Sequence, residues 1–217
     1  MFYWIKTHRL IKWLFNNQIW SIPNKSKTIY LTFDDGPTPD VTEWVLNLLK
    51  ENNIKATFFC IGKNIILYPG IFKRILKEGH TVSNHTYNHK NGWKTNFQDY
   101  IEEVYLCERA ISDFQNNKQN FAYPKLFRPP YGKITPKQSK FLRSKGYKII
   151  MWDILTADFD PSISNGECIK NATQKVEPGS IIVFHDSQKA YHHLKNCLPK
   201  ALAFYKKKGF TFDVIRN

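Results

Sequence analysis

The sequence predicts an α/β protein in which helices cover a parallel sheet, and three observations carry that expectation. Short apolar or β-branched runs alternate with stretches of helical periodicity from residue 28 onward. Runs such as IIVF (181–184) and YKIIMW (147–152) are apolar on both faces, as strands are when helices lie on both sides of a sheet. The most distinctive polar residues fall just behind such runs, where ligands bind in parallel α/β architectures. A barrel and a doubly wound sheet both satisfy these observations.

Seven strands are expected, at residues 28–33, 56–61, 81–83, 126–128, 147–152, 180–184 and 210–214. Thr38 and Pro39, a capping residue and a first-turn proline, predict the start of a helix carrying Val41, Trp44, Val45, Leu48 and Leu49. Further helices are expected at 65–77, 97–114, 136–145, 167–176 and 194–207, and the NNKQ stretch at 116–119 as a polar surface loop.

With 217 residues, 42% of them hydrophobic and 15% aromatic, the chain has the material for one packed domain, which excludes disorder and repeat arrays. The net charge of +14 attracts anionic polymers, acidic glycans or a membrane surface, and names none of them. Cys60, Cys107, Cys168 and Cys197 are widely spaced with no CxxC pair, so they read as reduced structural thiols and not as a zinc ribbon or redox site.

Residues 1–27 read as a basic, aromatic arm or helix preceding a main domain at 28–217. Lys6, Arg9 and Lys12 interrupt the apolar runs, which are shorter than the roughly 7 residues of a signal-peptide core or the roughly 20 of a membrane span. A cytoplasmic or peripheral-membrane location in a bacterium is therefore expected. Leu10, Ile11, Leu14 and Phe15 lie at helical spacing beside those cations. Packing on the chain's own domain is the ordinary reading of that pattern, and a helix resting on an anionic bilayer is the alternative.

The chemistry gathers behind the strands. The first ends in Asp34, Asp35 and Gly36, and adjacent carboxylates on an extended backbone point in different directions, so one can bind a cation while the other takes a proton. As a turn or cap pair, DDG alone is weak. Behind the third strand, His85 and His89 are four residues apart, a spacing that on one helical face sets the imidazoles about 6 Å apart and suits one metal ion. Position 86 is Thr, so the general base found inside the HExxH pattern must come from elsewhere; Asp34 supplies it, and Asp35 the oxygen ligand.

Arg128, Pro129, Pro130, Tyr131 and Gly132 form a rigid turn in which Arg128 can pair with a carboxylate and an amide such as that of Tyr131 can face a ligand. His185, directly after a buried strand, is well placed as a general acid, since its reference pKa of about 6.5 allows either protonation state.

These residues together resemble the polysaccharide deacetylases, the NodB-like domains of carbohydrate esterase family 4. The resemblance rests on TFDDGP at 32–37, NHTYNH at 84–89, RPPYG at 128–132, a Trp-to-Asp segment from Trp152 to Asp158, and the histidine at 185, in that order over nearly everything after residue 28. It implies a distorted (β/α) barrel of about seven parallel strands and a metal-dependent hydrolase, with Zn²⁺ as the expected ion, that removes acetyl groups from N-acetylated sugars of chitooligosaccharide or peptidoglycan type. It implies Asp34 as catalytic base, Asp35, His85 and His89 as metal ligands, His185 as general acid, and Arg128 as the residue orienting Asp34. Asp158 would tune His185, Trp152 would wall the pocket, and the turn at Pro129 and Tyr131 would bind the oxyanion.

The fourth motif departs from the common WxVDxxDW pattern, with Leu155 at the first Asp position and Phe159 at the last Trp. An O-acetyl esterase of xylan type and a non-catalytic binder of anionic glycans are the alternatives. The expected partner is an N-acetylated glycan, with peripheral association to a membrane or anionic cell wall, no nucleic acid, and a monomeric chain.

Overall fold

A computed structural model describes residues 3–115 and 125–216, so the loop expected at 116–119 lies outside the described residues. The chain begins with α1 (Arg9–Leu14) and β1 (Thr28–Asp34), followed by α2 (Val41–Glu51), β2 (Thr57–Cys60), α3 (Gly62–Leu67), α4 (Pro69–Lys77), β3 (Thr81–Asn84) and α5 (Phe97–Gln115). It continues with β4 (Leu126–Phe127), α6 (Pro136–Ser144), β5 (Lys148–Ile149), β6 (Ile154–Leu155), α7 (Asn165–Thr173), β7 (Ile181–His185), α8 (Tyr191–Lys207) and β8 (Thr211–Phe212). The main sheet has the order β5-β4-β3-β2-β1-β7-β6, its pairs are parallel, and β8 joins the lower end of β1. This curled parallel sheet is the distorted barrel that the resemblance implies.

Alternation along β1 divides the core. Ile29, Leu31 and Phe33 face the helices and join Phe58, Val82, Ile182 and Phe184 in the largest apolar cluster. Tyr30 belongs to a second cluster with Phe59, Leu126, Ile150, Ile181 and Ile215, against which Ile19 and Ile22 of the N-terminal segment pack.

Three sequence expectations differ from the structure. The helix expected at 65–77 is two helices, because Pro69 opens α4 and Tyr68 before it leaves the helical region at φ −126°, ψ 58°. Helix α2 starts at Val41 and not at Thr38–Pro39, since Asp40 sits at φ 64°, outside any helical path. Strand β6 has only two residues and was not among the seven expected, being too short to show a period.

Between β5 and β6 the barrel is bridged by the N-terminal segment. Ile19 pairs with Ile150 and Lys6 with Ile154, while Thr7 N–H donates to the Asp153 carbonyl at 2.9 Å and Leu155 N–H to the Ile5 carbonyl at 2.9 Å. All four cysteines are buried and free, as expected of structural thiols.

His80, just before β3, is buried and its Nδ1 accepts the Ala56 amide at 3.1 Å. Burial pushes the imidazole pKa down to about 4. The unfolded chain therefore takes up this proton first as pH falls below about 6.5, so the stability present above that pH is lost towards pH 4, by roughly 1–2 kcal/mol at pH 5. Thermal unfolding from pH 7 to pH 5 is expected to show a smaller fall in Tm for His80→Asn, which keeps an acceptor for Ala56 but does not titrate, than for the unaltered chain.

Candidate active site

The parallel register sets Asp34, the last residue of β1, directly beside His185, the last residue of β7. At the same end, β3 delivers His85 one residue after its close, and β4 delivers Arg128 one residue after its own. The residues singled out in the sequence thus gather where parallel strands end.

Arg128 has no solvent exposure. Its guanidinium lies 4.0 Å from the Phe59 ring centre and donates to Asp34 Oδ1 (2.7 Å), Thr32 Oγ1 (2.7 Å), the Ile150 carbonyl (3.2 Å) and the Met151 carbonyl (2.9 Å). These bonds hold the buried Asp34 carboxylate in a charge-assisted pair and fix its orientation.

Asp35 points elsewhere because its backbone turns into the left-handed region at φ 83°. That turn is secured by Asp186, the residue that follows His185 in the chain. Asp186 accepts from the Gly36 amide (3.1 Å) and from Thr42 Oγ1 (2.6 Å). A Cβ on Gly36 would lie 2.0 Å from Asp186 Oδ2, so only glycine fits there.

Asp35 Oδ1 lies 3.2 Å from His89 Nε2 and 3.7 Å from His85 Nε2. It is buried and makes no hydrogen bond among the described residues. Ligand atoms of the three side chains all lie within 4.8 Å of one another.

His85 and His89 do not share a helical face, in contrast to the expectation from their spacing. Thr86 (φ 62°) and His89 (φ 56°) are both left-handed, and the chain folds into a turn stitched by the Thr86 amide to Asn84 Oδ1 and the Lys90 amide to Thr86 Oγ1. The ring centres are nonetheless 5.1 Å apart.

His85 Nδ1 is 2.7 Å from the Arg128 carbonyl, which can only accept, so Nδ1 carries the proton and Nε2 turns its lone pair towards Asp35. Burial holds the His85 pKa down at about 4, keeping that ring neutral. His89 Nδ1 is 3.1 Å from the Tyr131 hydroxyl. For Asp35, burial acts to raise the pKa, but the imidazole of His89, with His185 and His85, holds it well below the usual carboxylate range. An orphaned buried carboxylate oxygen facing two imidazole nitrogens is the donor set of a divalent-ion site, so these residues fit such an ion.

His185 Nδ1 is 2.7 Å from Asp158 Oδ1, and its backbone amide donates to Asp158 Oδ2 at 2.8 Å. Burial alone would lower the His185 pKa; the Asp158 carboxylate, by charge and hydrogen bond, raises it to about 9. The ring is therefore protonated at neutral pH. Phe159, at the position of the missing Trp, packs edge-on against it with ring centres 5.0 Å apart.

Tyr131 occupies a left-handed position (φ 59°) in a 3₁₀ turn after Pro129, half-exposed on the same side as His89. The Trp152 ring lies against that turn, where a Cβ on Gly132 would approach it to 2.7 Å.

The chain is similar to known proteins over most of its length. A family model described as polysaccharide deacetylase matches residues 21–150. A peptidoglycan-N-acetylglucosamine deacetylase of Bacillus cereus is 36% identical over 193 residues, 88% of this chain and 67% of that protein. A chitooligosaccharide deacetylase of Azorhizobium caulinodans is 33% identical over 193 residues, 87% of this chain and 83% of its own length. Among solved structures, a peptidoglycan N-acetylglucosamine deacetylase in complex with 4-naphthalen-1-yl-N-oxidanyl-benzamide aligns with a TM-score of 0.80 at 32% identity, covering 94% of each chain.

Arg128→Met is expected to leave Asp34 as a buried, unpaired charge and to cost about 3–5 kcal/mol of stability in chemical denaturation. Asp34→Asn removes that charge, so in the Arg128→Met background it is expected to restore part of the loss; a double variant no more stable than Arg128→Met would contradict the pairing.

Proposed function

The chain belongs to the polysaccharide deacetylase family and is an enzyme of it, and we propose that it is a metal-dependent hydrolase releasing acetate from N-acetylated sugars of a peptidoglycan or chitooligosaccharide. The observation that carries this reading is the separation of two adjacent carboxylates, Asp34 onto Arg128 and Asp35 onto a histidine pair, with a protonated imidazole on the neighbouring strand. The names of the relatives supply the glycan class.

Asp35, His85 and His89 would hold the ion, Zn²⁺ in this reading, which when bound supplies Lewis acidity at a carbonyl oxygen and acidifies water. Arg128 engages Asp34 through Oδ1, leaving Oδ2 to take a proton from the attacking water. The Tyr131 amide donates to the oxyanion of the tetrahedral intermediate, and one donor of this kind is worth about 10²–10³ in rate. His185, with Nδ1 committed to Asp158, presents Nε2–H to the departing nitrogen. The carbon–nitrogen bond breaks as that proton arrives, so the acyl group leaves as acetate and the sugar as a free amine. Trp152, seated against the oxyanion turn, walls the acetyl pocket.

The test is acetate release by the zinc-loaded protein from N-acetylglucosamine oligomers, peptidoglycan and acetylated xylan. Release from the amide substrates is expected; release from the xylan ester alone would make the protein an O-acetyl esterase, and no release with zinc bound would overturn the reading. Asp34→Asn is expected to keep its zinc and lose turnover by at least about 10², whereas His85→Ala loses the zinc, as measured by metal analysis of the purified variants. His185→Ala is expected to retain zinc and to lower kcat by about 10²–10⁴; unchanged kcat would remove His185 from the reaction.

A further inference from the structure

The N-terminal segment presents an apolar surface that the barrel does not use. Helix α1 buries none of its residues. Leu10, Trp13, Leu14 and Phe15 are 54%, 69%, 55% and 47% exposed, so four of the nine large apolar side chains exposed among the described residues lie within six consecutive positions. A contiguous exposed patch of this kind marks an interaction surface, whereas scattered apolar residues need no explanation.

The patch is held in place from both sides. Before it, Thr7 Oγ1 donates to the Trp152 carbonyl at 2.8 Å and Lys6 Nζ lies 2.8 Å from Asp153 Oδ2. After it, Trp20 Nε1 donates to the Phe15 carbonyl at 3.0 Å and Ile19 is bridged to Ile150. From within α1 itself, Lys12 Nζ reaches Asp153 Oδ1 at 2.5 Å. The apolar side chains therefore project from a fixed mount.

Charge selects the partner. Residues 1–33 include five Lys or Arg and no Asp or Glu, and Arg9, Lys25 and Lys27 are exposed. A second copy of a chain carrying +14 would be repelled from this surface. A bilayer bearing anionic headgroups offers both an apolar interior for Trp13 and Leu14 and a negative surface for Arg9, which opens the same helix. No helix among the described residues is long and apolar enough to cross a membrane, so α1 would lie in the interface.

We infer that α1 and its basic flanks form a docking surface for a lipid bilayer with anionic headgroups. Its placement suits the enzyme. Asp153, which anchors Lys12, accepts from Ser180 Oγ at 2.5 Å, and Ser180 immediately precedes β7, whose far end is His185. A strand of that length spans about 16 Å, so the Lys12 anchor lies at the end of β7 opposite His185.

The experiment is flotation of the intact protein with phosphatidylcholine vesicles made with and without phosphatidylglycerol, at low salt. Binding to the anionic vesicles alone is expected. Trp13→Ser/Leu14→Ser is expected to weaken it by about tenfold or more, and Arg9→Gln by about fivefold, with the Tm and acetate release from a soluble oligosaccharide unchanged. Absence of binding to anionic vesicles, equal binding to neutral ones, or full binding by the double variant would overturn the inference. So would a dimer in sedimentation velocity that the double variant abolishes, which would assign the patch to a second copy.

Discussion

A guanidinium without solvent exposure has to find its acceptors inside the fold, and Arg128 finds them on two segments at once. It binds the Thr32 and Asp34 side chains of β1 and the carbonyls of Ile150 and Met151 just past β5, with its flat face on Phe59 of β2. Its own carbonyl takes the Nδ1 proton of His85. One buried residue thus sets, through its guanidinium, the position of the proposed base and, through its carbonyl, the tautomer of a proposed metal ligand. The cost of burying it is offset by the paired Asp34 carboxylate together with the Thr32 hydroxyl and the two carbonyls around it.

Two neighbouring aspartates acquire opposite surroundings from this arrangement. Asp34 continues the strand into the barrel interior, and Asp35 leaves it through a left-handed turn that Gly36 and Asp186 make sterically feasible. A second carboxylate–histidine pair, Asp158 with His185, completes the site from β7 and the segment behind β6. The proposed base and the proposed ligand His85 share Arg128 as their partner, whereas the proposed acid His185 is held separately by Asp158.

The chemistry was legible in the sequence because parallel strands put their last residues on one end, and every motif falls within a few residues of a strand terminus. What was not legible depended on geometry that spacing alone does not encode. Four residues between His85 and His89 suit a helix, but left-handed backbone at Thr86 and His89 brings the rings equally close through a turn. Asp186 carries no motif of its own, and its role appears only when β1 and β7 lie side by side. Strand β6 is two residues long and owes its place to neighbours, among them Lys6 and Ile5 from an arm some 150 positions earlier in the chain. The periodicity of 9–15 was visible, but the side of it that the barrel leaves uncovered was not.

In the proposed mechanism Arg128 and the histidine pair divide the two aspartates into base and ligand. An anomalous-difference map from crystals grown with zinc measures that division directly. One peak is expected, bounded by Asp35, His85 Nε2 and His89 Nε2, with Asp34 still paired to Arg128. A peak bridging both aspartates, or Asp34 drawn off Arg128 onto the ion, would contradict it.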